Sequence, residues 1–137
     1  MRVALHPRLY DPLVPHPILN GVRCDGCHLV YFPPIAIGCE RCGATQDQLT
    51  PLALTAAGTV FATAEVAVNP QGDAPFTAVE VILDDGPLIR AVAHPESPPL
   101  AIGDHVWARW SVARTDEQGR QVVEPAFTKA AADEVRS

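Results

Sequence analysis

Lysine is nearly missing from this chain. Lys129 is the single example, and arginine supplies the rest of the ten basic residues, set against sixteen Asp and Glu. Binding of phosphates needs a cationic face, so a formal net charge of -6 speaks against a nucleic-acid partner. Methionine is confined to Met1, which removes the commonest second axial ligand of a c-type haem. No apolar run approaches the roughly 20 residues of a membrane span, so no membrane partner is expected. The first nineteen residues are apolar, but Pro7, Pro12, Pro15 and Pro17 interrupt them. No signal-peptide core fits there, and a cytoplasmic protein is expected. A Gly-rich phosphate loop, an internal repeat and a low-complexity tract are all missing as well.

What the chain does have is a core-forming composition. Of 137 residues, 47% are hydrophobic, enough for one compact domain or a small module joined to a medium one. Fourteen prolines and nine glycines favour many turns and short strands over long helices.

The four cysteines carry the strongest signal. Cys24-Asp25-Gly26-Cys27 and Cys39-Glu40-Arg41-Cys42 are two C-x-x-C pairs, and residues 28–38 lie between them. That spacing is the pattern of a zinc ribbon, in which two knuckles present four thiolates to one ion. A reducing cytosol favours metal over disulfide. Iron in an all-thiolate site is the competing metal. Cys24-Asp25-Gly26-Cys27-His28 also matches C-x-x-C-H, the haem-attachment motif, but that reading leaves the second pair unexplained. A thioredoxin-type redox pair would need a surrounding βαβ pattern, which the sequence does not offer.

Along the chain, residues 1–19 read as an extended arm, either a strap on its own domain or a docking arm. Residues 20–50 read as the ribbon, entered by an Asn20-Gly21 turn signal, with a short strand at Leu29-Val30-Tyr31-Phe32 and Gly43 closing the second knuckle. Residues 51–137 read as strands. They are expected at 58–68, 76–84, 88–94, 105–114 and 121–128, with a hairpin turn at Asp85-Gly86 and a short helical turn at 130–135. The fold expected is mainly β: an arm, a rubredoxin-like zinc ribbon and a five-stranded OB-fold barrel.

Catalytic chemistry finds little to use. The histidines are His6, His16, His28, His94 and His105, and they read as surface or strand-end residues; no nucleophile, base and orienter come together in the sequence. Trp107 falls on one face of its strand with His105, Arg109 and Ser111, and reads as exposed, a partner-binding candidate. Trp110 runs with Val106, Ala108 and Val112, and reads as core. Arg90, between Leu88 and Val92, stands on an apolar-looking face, and Arg90 and Arg109 are the candidates for holding an anionic group of a ligand.

The order of motifs resembles a known family. Leu19-x-Gly21-x-Arg23-Cys24-x-x-Cys27 is followed by Tyr31-Phe32-Pro33-Pro34 and by Cys39-x-x-Cys42-Gly43, then by Gly58-Thr59-Val60 and Gly103-Asp104-x-Val106. This is similar to the acyl-CoA-associated OB-fold proteins with a rubredoxin-like zinc ribbon, long catalogued as a domain of unknown function. His28 stands where that family usually has glycine, Ile35 where a basic residue often follows the prolines, and Glu40 where proline is common. The resemblance implies an accessory subunit without catalytic residues of its own, in a hetero-oligomer with a thiolase-superfamily thiolase or steroid side-chain aldolase. It implies one structural zinc, with acyl-CoA as a contact. Tyr31, Phe32, Pro33 and Pro34 are then expected to form an apolar docking surface. Two other classes stay open from the residues: a single-stranded nucleic-acid module on the OB barrel, and a rubredoxin-like electron carrier.

Overall fold

The computed structural model describes residues 2–35, 37–67 and 75–129. Among these described residues the regular structure is nine strands and one 3-10 turn. β1 spans Arg2–Ala4, β2 Ile18–Cys24, β3 Val30–Tyr31, β4 Leu49–Thr55 and β5 Ala57–Val66. β6 spans Phe76–Leu83, β7 Leu88–Ala93, β8 His105–Thr115 and β9 Gln121–Thr128, and the 3-10 turn lies at Gln46–Gln48.

Strands β5 to β9 close into an OB-fold barrel. The order is β9-β7-β6-β5-β8, and β8 pairs back onto β9, so the sheet returns to its start. Closure removes the open edges that an unpaired strand would expose. The β7–β9 pairing is parallel and the other barrel pairings are antiparallel. Two register shifts, at Val60/Ala62 in β5 and Val112/Arg114 in β8, supply the bends that a small barrel needs. β9 is shared along one edge: β1 pairs in parallel with residues 121–123 and β7 with 126–127. Pro125 falls in the gap between these two partners, where that edge asks no ladder hydrogen bond of it.

Alternation fills the barrel. Val79, Val81 and Leu83 point inward from β6, and Glu80 stands on the outer face against Arg90. Val60, Ile89, Val106 and Phe127 complete the centre. The three-stranded sheet β3-β2-β4 joins the same core through Leu19 and Leu54. Gly21 sits in the middle of β2, and the Asn20-Gly21 turn expected from sequence does not form. A Cβ at Gly21 would lie 2.7 Å from Leu54 Cδ1 and 2.8 Å from the Tyr31 carbonyl oxygen. Glycine is there for close approach rather than for a turn.

The arm is a strap. β1 adds to β9, and the buried Tyr10 donates a hydrogen bond to the Val123 carbonyl. Burial pushes the Tyr10 hydroxyl up to about 12, so it stays a donor at physiological pH. Trp110 Nε1 donates to the Val14 carbonyl at 2.8 Å, and the Arg2 guanidinium lies 5.4 Å from the Trp110 ring centroid while donating to the Pro12 carbonyl.

Several sequence expectations shift. The β4 strand was hidden because Pro51 interrupts its apolar pattern, and the short strand before the prolines shrinks to Val30–Tyr31. Val112 is half exposed: it stays in register with Trp110 on β9, but it lies beyond residues 105–107, the part of β8 that β5 pairs with. Arg90 lies on the outer face of β7, while Ile89 points inward. Its apolar neighbour Leu88 is itself 48% exposed, which is why the face misleads. His94 is buried rather than at the surface. Its Nδ1 accepts from the Glu96 N–H and its Nε2 donates to the Trp110 carbonyl, pinning the turn after β7 to β8. The helical turn at 130–135 and the end of the 58–68 strand at Val68 lie outside the described residues.

Candidate metal centre

Two loops built alike bring the cysteines together. β2 ends on Cys24, the His28 N–H donates to the Cys24 carbonyl, and the Cys24 N–H donates to the Leu29 carbonyl. In the second loop the Gly43 N–H donates to the Cys39 carbonyl, and the Cys39 N–H donates to the Ala44 carbonyl. The corresponding residues, His28 and Gly43, both turn left-handed, with φ of 66° and 77°. Gly43 was legible for this reason, and His28 performs the same turn with a side chain. Asp25 secures the first knuckle: its N–H donates to the Gln48 carbonyl and its Oδ2 accepts from Thr50 Oγ1 at 2.8 Å.

The four sulfurs lie within 4.8 Å of one another. Cys24 and Cys42 Sγ are 3.5 Å apart, and Cys27 and Cys39 Sγ are 3.6 Å apart. A tetrahedral ion with metal–sulfur bonds of about 2.3 Å requires sulfurs about 3.8 Å apart, so one metal ion fits with little adjustment. No disulfide links them. Cys24 and Cys39 are buried, Cys27 is half-buried and Cys42 is exposed. Four protein ligands would leave no open position for substrate, which suits a structural rather than a catalytic ion.

The sulfurs also resist sharing negative charge among themselves. A hydrogen bond from the Tyr31 hydroxyl, helped by the Cys42 N–H, draws the Cys39 thiol down to about 6. At Cys42 the Ala44 N–H pulls the same way, but hydrogen bonds with the neighbouring Cys24 sulfur, burial and the Cys39 and Cys27 sulfurs outweigh it and push the thiol up to about 12. One thiolate forms readily and the next is opposed. A bound cation would relieve that opposition.

The residues singled out for docking divide. Tyr31 and Phe32 turn inward: the Tyr31 hydroxyl meets Cys39 Sγ at 3.2 Å, and Phe32 packs on the hydrophobic core. Pro33 and Pro34 are exposed and line a shallow hollow with Leu5, His6 and Leu9 of the arm. Ile37, 93% exposed beside the second knuckle, is an apolar side chain in solvent that the sequence pattern passed over.

The barrel candidates gather elsewhere. Trp107, Arg109, His105 and Trp110 line one groove between β8, Pro15-His16-Pro17 of the arm and Thr55-Ala56-Ala57. Trp107 and Trp110 share that groove although their neighbours alternate between core and surface. Two of its lining side chains lie beside carboxylates: Arg109 is 3.6 Å from Glu96, and His105 is 3.6 Å from Asp84. Arg90 is far round the barrel and 3.0 Å from Glu80. No helix among the described residues is long and apolar enough to cross a membrane.

No protein-family model matches the sequence, and no curated protein matches it. Among solved structures, the fold is similar to one described as an "Ltp2-ChsH2(DUF35) aldolase", with a TM-score of 0.62 and 22% identity. The likeness covers 82% of this chain and 85% of that one. It extends over the combination of ribbon and barrel, since neither part alone amounts to that share of the chain.

Proposed function

We propose that this chain is a non-catalytic accessory subunit of a thiolase-like enzyme acting on acyl-CoA thioesters, and a member of the DUF35 family that its motifs resemble. One observation carries the reading: a four-cysteine cluster and an OB barrel occur in one chain, whose fold is similar over most of both lengths to a structure described as an aldolase with a DUF35 component. The coarse role is a subunit that joins a larger catalyst. The finer role, C–C bond cleavage by thiolysis or retro-aldol reaction, with steroid side chains as one substrate class, rests on the motif order quoted above. The ion is assigned as zinc, which a closed site of four thiolates suits and which iron alone rivals there, and the compartment as the cytoplasm.

Docking onto the partner is assigned to the exposed side of the ribbon, Pro33, Pro34 and Ile37, with Trp107 at a second contact. Prolines beside a metal-held knuckle offer contact area with little entropy left to lose. Phe32→Ala would be a poor probe, because it opens the core as well. Ile37→Asp leaves the fold untouched and puts a charge where apolar contact is needed.

The test is co-purification from the native source with tagged wild-type chain, followed by identification of the retained protein and assays on acyl-CoA substrates with and without this subunit. A thiolase-superfamily partner that the wild type retains and Ile37→Asp loses supports the reading. Retention of no such enzyme, or identical acyl-CoA turnover in the presence and absence of this chain, overturns it. Metal analysis separates the accessory role from electron transfer, since four-thiolate ferric iron is red and zinc is colourless.

A further inference from the structure

Tyr31 reads in the sequence as the first residue of an apolar contact surface. Its hydroxyl faces the other way. Tyr31 lies in β3, opposite Val22 of β2, and its oxygen is 3.2 Å from Cys39 Sγ. A sulfur that ligates a metal is a thiolate and has no proton to donate, so the hydroxyl must be the donor. We infer that Tyr31 is a positioning residue of the metal centre: its O–H···S hydrogen bond orients the Cys39 sulfur and withdraws charge from it in the loaded site. The inference rests on the metal reading above and adds to it a role for a residue of this chain.

The two knuckles explain why such a donor is needed. The first is continuous with β2, so Cys24 is placed by a strand paired on both edges. The second is reached from β3 through residues 32–38, and its own backbone bonds close on themselves, from Cys39 to Ala44 and from Gly43 to Cys39. Tyr31 is the side chain that ties Cys39 back to the three-stranded sheet. The outer partner of a metal ligand fixes its orientation and tunes its donor strength, and here that partner is a hydroxyl in place of the usual acceptor beside a ligating histidine. The backbone adds donors of its own, from Cys42 and Arg41 toward Cys39 and from Ala44 toward Cys42.

Cobalt(II) is the probe, because its sulfur-to-metal charge-transfer bands report the electron richness of each thiolate. Tyr31→Phe keeps the ring in β3 and removes the proton. The bands should move to longer wavelength, and cobalt affinity measured by chelator competition should fall roughly tenfold. A second arm replaces both tyrosines of the chain, Tyr10 and Tyr31, with fluorotyrosine, a more acidic donor; the bands should then move to shorter wavelength. If Tyr31→Phe fails to fold, the fluorotyrosine arm decides alone. Unchanged bands in either arm overturn the inference, and so does weaker affinity with unchanged bands, which marks a packing role only. Wild-type protein that takes up no cobalt overturns the metal reading, and this inference with it.

Discussion

The barrel and the ribbon solve the same problem with different forces. In the barrel, Val60, Val79, Val81, Leu83, Val106 and Phe127 are almost fully buried, and apolar burial outweighs the entropy of ordering the strands. The two knuckles bury little beyond their own sulfurs: residues 40–48 contribute no buried side chain. Such a segment cannot hold itself by packing; on the function proposed above, an ion held by the four cysteines supplies what the side chains do not. The difference teaches where each part is vulnerable. Chelation attacks one, and cavities attack the other.

The largest expected effect separates them. Cys24→Ser in place of a buried ligand should abolish stoichiometric metal binding, a loss on the order of 10 kcal/mol for the ribbon. Hydrogen exchange should then show amide protection lost over residues 24–48 and kept in β8 and β9. Protection lost everywhere would mean that Leu19 and Leu54, which share the barrel's core, make one cooperative unit of the two parts. Phe127→Ala tests the other half. It empties the centre of the barrel and should cost about 4 kcal/mol in chemical denaturation. Its metal content should stay unchanged.

Gly58→Ala sharpens the comparison inside the barrel. Gly58 pairs with Leu83 on one side and Val106 on the other, so its backbone has no free direction in which to move. A Cβ there would lie 2.1 Å from the Ile82 carbonyl oxygen. The loss should be about 3 kcal/mol by urea denaturation, at the upper end for overpacking because the obstacle is backbone. A loss under about 1 kcal/mol would show that the β5 register shift absorbs the methyl group.

Much of this was legible in sequence, and for unequal reasons. Strand 121–128 and the 76–84, 88–94 and 105–114 strands could be read because period-two alternation between turn residues is a local signal. The cysteine cluster was legible because spacing alone brings four sulfurs together. What stayed hidden depends on distant partners. Arg2–Ala4 is a strand only because β9 offers it an edge. Gly21 looks like a turn because its real constraint, Leu54, is 33 residues away in sequence. Tyr31 and Phe32 looked like surface because nothing local reveals that Cys39 and the core lie behind them.

The smallest expected effect is confined to the ribbon and sets its two knuckles against each other. His28 and Gly43 occupy equivalent left-handed turns, but only Gly43 has the residue type suited to one. A side chain in that conformation costs about 1–2 kcal/mol, and glycine returns about 0.5–1 kcal/mol of any gain through its freer unfolded chain. His28→Gly should therefore stabilise the metal-loaded protein by about 0.5–1 kcal/mol, and Gly43→Ala should destabilise it by a similar amount. No neighbour lies within 4 Å of a Cβ at Gly43, so that loss is conformational and not steric. Thermal unfolding of both variants with metal bound measures the pair. Shifts of equal size and opposite sign establish that the knuckles bear the same backbone strain; a destabilised His28→Gly would mean that the imidazole makes a contact worth more than the strain it tolerates.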